Sequence, residues 1–142
     1  MKQLVVRHRS NGFTLLELLV VIVIIGMLAA YVGPKYFGQL SKSQVQVARA
    51  QIDGFEKALD QYRLDTMHYP TTEQGLAALW AQPANEPLWR GPYLKKAIPL
   101  DPWGNAYAYT TASKVPGRDF DLTSYGKDGK SGGTGDDADV TN

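Results

Sequence analysis

The sequence predicts an α+β fold: a long N-terminal helix, membrane-spanning in its first half and amphipathic in its second, packed on a short helix and a small antiparallel sheet. Three observations carry this prediction. Residues 13–32 form a twenty-residue apolar run with a single charge, Glu17. Val45, Ala48, Ile52, Phe55, Leu59 and Tyr62 then recur at alternating steps of three and four, the period of a helix with one buried stripe. Residues 105–110 and 119–125 are β-favouring runs on either side of a Gly/Pro loop, as expected for strands.

The elements follow in chain order. Lys2, Arg7 and Arg9 precede the apolar run, so the positive-inside rule leaves residues 1–12 in the cytoplasm and sends everything after about Lys35 to the far side. At 1.5 Å per residue the run is about 30 Å long, enough to cross a bilayer core. A removed secretory signal shares the basic start and apolar centre. It would need small residues after the run, whereas here Gly33 is followed by Pro34, Tyr36 and Phe37. Pro34 removes one helical hydrogen bond and crowds the preceding turn, which predicts a kink or local unwinding.

From about Gln39 the apolar stripe faces a core, while Lys42, Gln46, Arg49, Asp53, Lys57 and Asp60 form the opposite, solvated face. Pro70 closes the helical region. Thr71 and Gln74 then give a capping-box start to a short second helix, with Leu76, Leu79 and Trp80 on its buried side. Pro83, Pro87 and Pro92 end it. The two strands pair as an antiparallel hairpin, and a sheet this small must pack on the helix stripe to bury its apolar face.

Composition narrows the function classes. With 142 residues, 44% of them hydrophobic and 20% charged, the chain can build one small packed domain. A net charge of +1 speaks against a nucleic-acid partner, which calls for a basic face. The chain has no cysteine, so disulfides, thiol nucleophiles and Cys-based metal sites are excluded. The two histidines are His8, in the leader, and His68. Ser/His/Asp chemistry would hang on His68 alone, and no general base or phosphate-gripping loop accompanies it, so an enzyme is not expected. His68 is read as a cation near the helix end. Trp80, Trp89 and Trp103 are read as core or interface residues rather than a ligand platform.

Two further groups are singled out. Glu17 lies inside the spanning run, where a carboxylate costs about 2.5 to 3.5 kcal/mol on insertion scales and so takes a partner or stays near the hydrated interface. The C-terminal segment 125–142 is rich in Gly and Asp, with Asp128, Asp136, Asp137 and Asp139. By composition it reads first as a flexible acidic terminus. The second reading is a loop of hard oxygen donors suited to calcium. An EF-hand is excluded, because Lys130 and Gly132 stand where that loop needs oxygen side chains.

Gly12-Phe13-Thr14-Leu15-Leu16-Glu17, set between a basic leader and a spanning helix, resembles the processing site of type IV prepilins and type II secretion pseudopilins. Tyr69-Pro70-Thr71-Thr72-Glu73-Gln74-Gly75-Leu76, Asp101-Pro102-Trp103-Gly104-Asn105 and the tail 126–142 are in turn similar to the major pseudopilins of type II secretion systems. The resemblance implies cleavage of the leader, residues 1–12, by a prepilin peptidase between Gly12 and Phe13, with N-methylation of Phe13. It implies that residues 13–33 form a transmembrane and assembly helix, that Glu17 pairs with the new N-terminus of a neighbouring subunit, and that Pro34 marks where related filaments melt the helix. Residues 34–142 would be a periplasmic pilin-like domain.

In its tail the resemblance implies calcium, held by Asp128 and by one or more of Asp136, Asp137 and Asp139, with carbonyls near Tyr125 and Val140. It also implies a homo-oligomeric pseudopilus that takes in minor pseudopilins, grows from an inner-membrane platform driven by a cytoplasmic ATPase, and promotes export of folded periplasmic proteins. A surface type IV pilin is the alternative within the superfamily, disfavoured by the missing cysteines. A monomeric membrane-anchored calcium-binding envelope protein is the alternative outside it.

Overall fold

The structure, a computed structural model, describes residues 13–142; the leader, with Gly12 and His8, lies outside the described residues. The order of elements is α1 (Leu15–Thr66), β1 (Ala108–Thr110), β2 (Asp121–Ser124) and β3 (Val140–Thr141), with two short 3₁₀ turns at Gly75–Leu79 and Gly135–Asp137. The chain divides into two compact units, one ending at Gly38 and the other spanning Gln39–Asn142.

In the first unit the apolar side chains of α1, among them Leu18, Ile22, Ile25 and Leu28, are all exposed. This helix is long and apolar enough to cross a membrane, and none of its most apolar window is buried against protein. Helical backbone runs without interruption through Pro34, so the local unwinding expected there is not seen. One missing N–H deprives only the carbonyl of Ala30 of its partner, and the turns on either side of it stay helical.

The second unit is built on the predicted stripe. Ala48, Ile52, Phe55, Leu59 and Tyr62 are at most 3% exposed, joined by Ala58 and Thr66, and Val45 packs against this cluster. All six residues predicted for the opposite face are exposed. Helix α1 stops at Thr66, where Met67 turns into the left-handed region at φ 68° while still donating its N–H to the Arg63 carbonyl at 2.8 Å. The sheet closes the core from the other side: Tyr107, Phe120, Leu122 and Val140 belong to the same apolar cluster, with the Tyr107 ring edge-on to Phe55 at 5.1 Å.

The second helical element is a 3₁₀ turn rather than an α-helix. Its capping box is present, the Thr71 N–H donating to Gln74 Oε1 (2.8 Å) and the Gln74 N–H to Thr71 Oγ1 (3.2 Å). Leu76, Ala78 and Leu79 are buried, but Trp80 is 43% exposed. The tighter winding explains the misplacement, because at three residues per turn Leu76 and Leu79 eclipse each other and Trp80 rotates off their face. Trp89 does join the core, donating its Nε1–H to the Ala78 carbonyl at 2.8 Å.

The sheet has three strands in the order β1-β2-β3, all antiparallel. The predicted hairpin is β1–β2, with Tyr109 opposite Leu122. The third strand comes from the C-terminal segment, placing Val140 opposite Ser124 and Thr141 opposite Thr123.

Candidate functional site

Chemistry-bearing residues gather at the start of α1 and in the C-terminal tail. At the start of α1, Thr14 and Glu17 form a reciprocal capping box. The Thr14 N–H and hydroxyl each donate to Glu17 Oε2 at 2.9 Å, and the Glu17 N–H donates back to Thr14 Oγ1 at 3.2 Å. The carboxylate expected to need a partner therefore has two donors within its own chain. Thr14 was not singled out from the sequence, although Thr-x-x-Glu at the head of an apolar run is a legible signal, the same one read correctly at Thr71. Phe13 precedes this cap and is exposed.

The tail is folded, not an unstructured terminus. Two glycines show how closely it winds on itself. Gly126, at φ 64°, is buried so tightly that a Cβ would lie 2.8 Å from the Asp136 carbonyl oxygen and 2.9 Å from that of Ala138. Gly133, at φ 90°, abuts the Asp137 backbone. The Lys127 N–H donates to the Asp136 carbonyl at 2.9 Å and ties the two sides of the loop together.

Each acidic side chain has its own setting. Asp128 Oδ1 accepts the Lys130 N–H at 3.0 Å, and both oxygens of Asp139 accept from the Gly132 N–H. Asp136 accepts a hydrogen bond from the Ser41 hydroxyl on α1. Asp137 lies half-buried in the 3₁₀ turn beside it, Tyr125 is half-buried, and Val140 is buried in β3. Among the described residues no three His, Asp or Glu side chains converge into a metal-holding group. What this segment offers is an all-oxygen donor set, hard in the sense calcium requires, on a loop whose ends are already brought together.

Beneath the tail sits Asp101, to which the sequence assigns no role beyond its place in a segment that carries the family resemblance. Asp101 is 5% exposed. Its Oδ1 accepts the N–H groups of Trp103 (3.1 Å) and Asn105 (2.7 Å), and its Oδ2 accepts the hydroxyl of the fully buried Ser124 (2.6 Å). Burial first, and the Asp101 charge second, push the Tyr107 phenol up to about 12.

A second buried carboxylate, Glu86, accepts from the Tyr62 hydroxyl at 3.3 Å and faces His68 Nε2 at 3.0 Å. Burial and then this charge raise Tyr62 to about 12. His68 thus lies two residues past the end of α1, at the helix end where the sequence places it, and is held there by Glu86 and the Tyr69 carbonyl. Among the described residues no Ser side chain is hydrogen-bonded to it.

Comparison with known proteins bears on both regions. The family model described as "Type II secretion system (T2SS), protein G" matches residues 35–142, and the prokaryotic N-terminal methylation motif matches residues 7–33. The type II secretion system core protein G of Pseudomonas aeruginosa is 46% identical over 141 residues, covering 96% of each chain. That of Vibrio cholerae serotype O1 is 45% identical, covering 95% of this chain and 92% of the relative. The crystal structure of the major pseudopilin of the type 2 secretion system of enterohaemorrhagic Escherichia coli superimposes with a TM-score of 0.62 at 36% identity, covering 75% of this chain and 91% of that one.

Proposed function

The chain belongs to the type II secretion system protein G family, and on that premise we propose how its parts serve a pseudopilus. It is a major pseudopilin, a structural subunit and not an enzyme, and it acts by assembling with other secretion components. The observation that carries the reading is the match of residues 35–142 to that family, together with the capped apolar helix that begins at Leu15.

In this reading the leader is removed between Gly12 and Phe13 and Phe13 is N-methylated. Residues 13–33 hold the subunit in the inner membrane with its C-terminal domain in the periplasm. Prepilin peptidase, minor pseudopilins and the inner-membrane platform are its partners. Glu17 pairs with the α-amino group of a neighbouring subunit's Phe13, which fixes axial register, and Pro34 lets the helix yield within the filament. Glu17→Ala tests the assembly role: the variant inserts in the membrane but forms no pseudopilus, and abundant filaments from it would overturn the assignment.

For the tail the reading is calcium, held by Asp128 and one or more of Asp136, Asp137 and Asp139, with carbonyls near Tyr125 and Val140. When bound, the ion supplies the positive charge that lets these carboxylates crowd together, and its binding free energy adds to folding. Support comes from the oxygen-only donor set and from the closed loop at Gly126 and Gly133. The test is thermal unfolding of the mature chain in detergent with calcium against chelator. Calcium raises the melting temperature of the wild type and not of Asp128→Ala; equal melting temperatures in wild type with and without calcium would remove the metal from the account.

A further inference from the structure

We infer that Asn105, seated on the buried Asp101 carboxylate, is a positioning residue for the calcium-binding tail, and this inference rests on the calcium reading above. Asn105 Nδ2 donates to the Gly126 carbonyl at 2.7 Å. Its own N–H is held by Asp101 Oδ1 at 2.7 Å, and the other oxygen of Asp101 holds Ser124, two residues before Gly126. One buried carboxylate therefore fixes both the side chain that grips Gly126 and the strand that leads into it.

The tail's first turn is clasped from two sides. A Cβ at Gly129 would lie 3.3 Å from Asn105 Oδ1, while Gly126 is pressed against the carbonyls of Asp136 and Ala138. Tyr125 and Asp128, both assigned to the metal, flank the residue that Asn105 holds. A donor set anchored before the ion arrives loses less conformational entropy on binding. Asn suits the position because its amide N–H can donate to a carbonyl, which a carboxylate at the same place would repel.

The experiment uses the full mature chain in detergent, titrated calorimetrically with calcium chloride. Amide hydrogen exchange is read in chelator at Lys127, whose N–H bonds Asp136 across the loop, and at core β2 amides. Asn105→Ala is expected to weaken calcium binding about 10- to 100-fold, the usual effect of removing a group that orients metal ligands. It should speed exchange at Lys127 while leaving the β2 amides as protected as before. Asn105→Ser, too short to reach Gly126, should behave alike and stands in if the alanine variant folds poorly. Affinity within about twofold of wild type, or unchanged exchange at Lys127, overturns the positioning role. No binding heat from the wild-type chain overturns the calcium reading itself, and the inference with it, so the two failures are separable.

Discussion

Replacing Asp101 with alanine removes the acceptor of three hydrogen bonds at once: two backbone N–H groups at 3.1 and 2.7 Å, and the Ser124 hydroxyl at 2.6 Å. Ser124 is 0% exposed and Asp101 5%, so water does not readily replace the lost partner. A buried donor left unsatisfied costs about 1–3 kcal/mol. With the hydroxyl fully buried and the two amides half-buried, the loss is about 3–5 kcal/mol, a large part of a typical domain's stability of about 5–15 kcal/mol. Asp101→Asn separates hydrogen bonding from charge. Its carbonyl still accepts from both amides and its NH₂ donates to Ser124 Oγ, which leaves the Ser124 O–H as the one donor without a partner while a buried charge disappears, so the loss is about 1–2 kcal/mol. Urea unfolding of the mature chain in chelator, followed by tryptophan fluorescence, measures both variants without interference from metal. An alanine variant within about 1 kcal/mol of wild type would refute the network's structural weight. An asparagine variant as unstable as the alanine one would refute the claim that acceptor geometry, not charge, is what Asp101 supplies.

Gly126→Ala must accommodate a Cβ 2.8 Å from a carbonyl oxygen at φ 64°, so it should destabilise by more than about 1 kcal/mol and expose the tail to limited proteolysis. Gly132→Ala, at φ 99° but with nothing within 4 Å, should cost less by the same assay. Tyr62 and Tyr107 are both pushed up to about 12, above an ordinary phenol near 10. Their contribution is therefore complete below about pH 10 and is lost as pH rises toward 12. Phenolate absorbance from these two residues should grow in step with unfolding by circular dichroism, and ionisation at pH 10 in a folded chain would contradict the burial argument. Leu59→Ala, at 0% exposure, should cost about 2–5 kcal/mol, whereas Leu64→Ala, at 71%, should lie within about 0.5 kcal/mol of wild type on urea unfolding.

What could be read from the chain divides along a physical line. Features set by local period were legible: the stripe from Ala48 to Tyr62, the cap at Thr71 and the alternation that makes β1 and β2. These depend on neighbours three or four residues away, or on alternation between two faces. Features set by distant partners were not. Asp101 reads locally as a turn residue, and only Ser124, twenty-three residues later, makes it a buried anchor. Strand β3 is two residues long and follows a glycine-rich stretch whose composition favours flexibility, so its pairing with β2 leaves no trace in the pattern. Trp80 was misplaced because α and 3₁₀ windings share their first repeat and differ at the next residue. At the candidate site, the residue types of the tail were visible, while the framework that shapes it, through Asn105 and Gly126, was not.

The reciprocal bonds between Thr14 and Glu17 change what a carboxylate at the head of an apolar helix means for the waiting subunit. Two donors at 2.9 Å share its Oε2, so the group is half satisfied within its own chain, while among the described residues its other oxygen keeps its acceptor sites open. Under the pairing proposed above, a neighbouring α-amino group would approach that open oxygen, in a charge-assisted bond about twice as strong as a neutral one. On that proposal the local pair aims rather than blocks: by fixing one oxygen it turns the other toward whatever charge is presented to it.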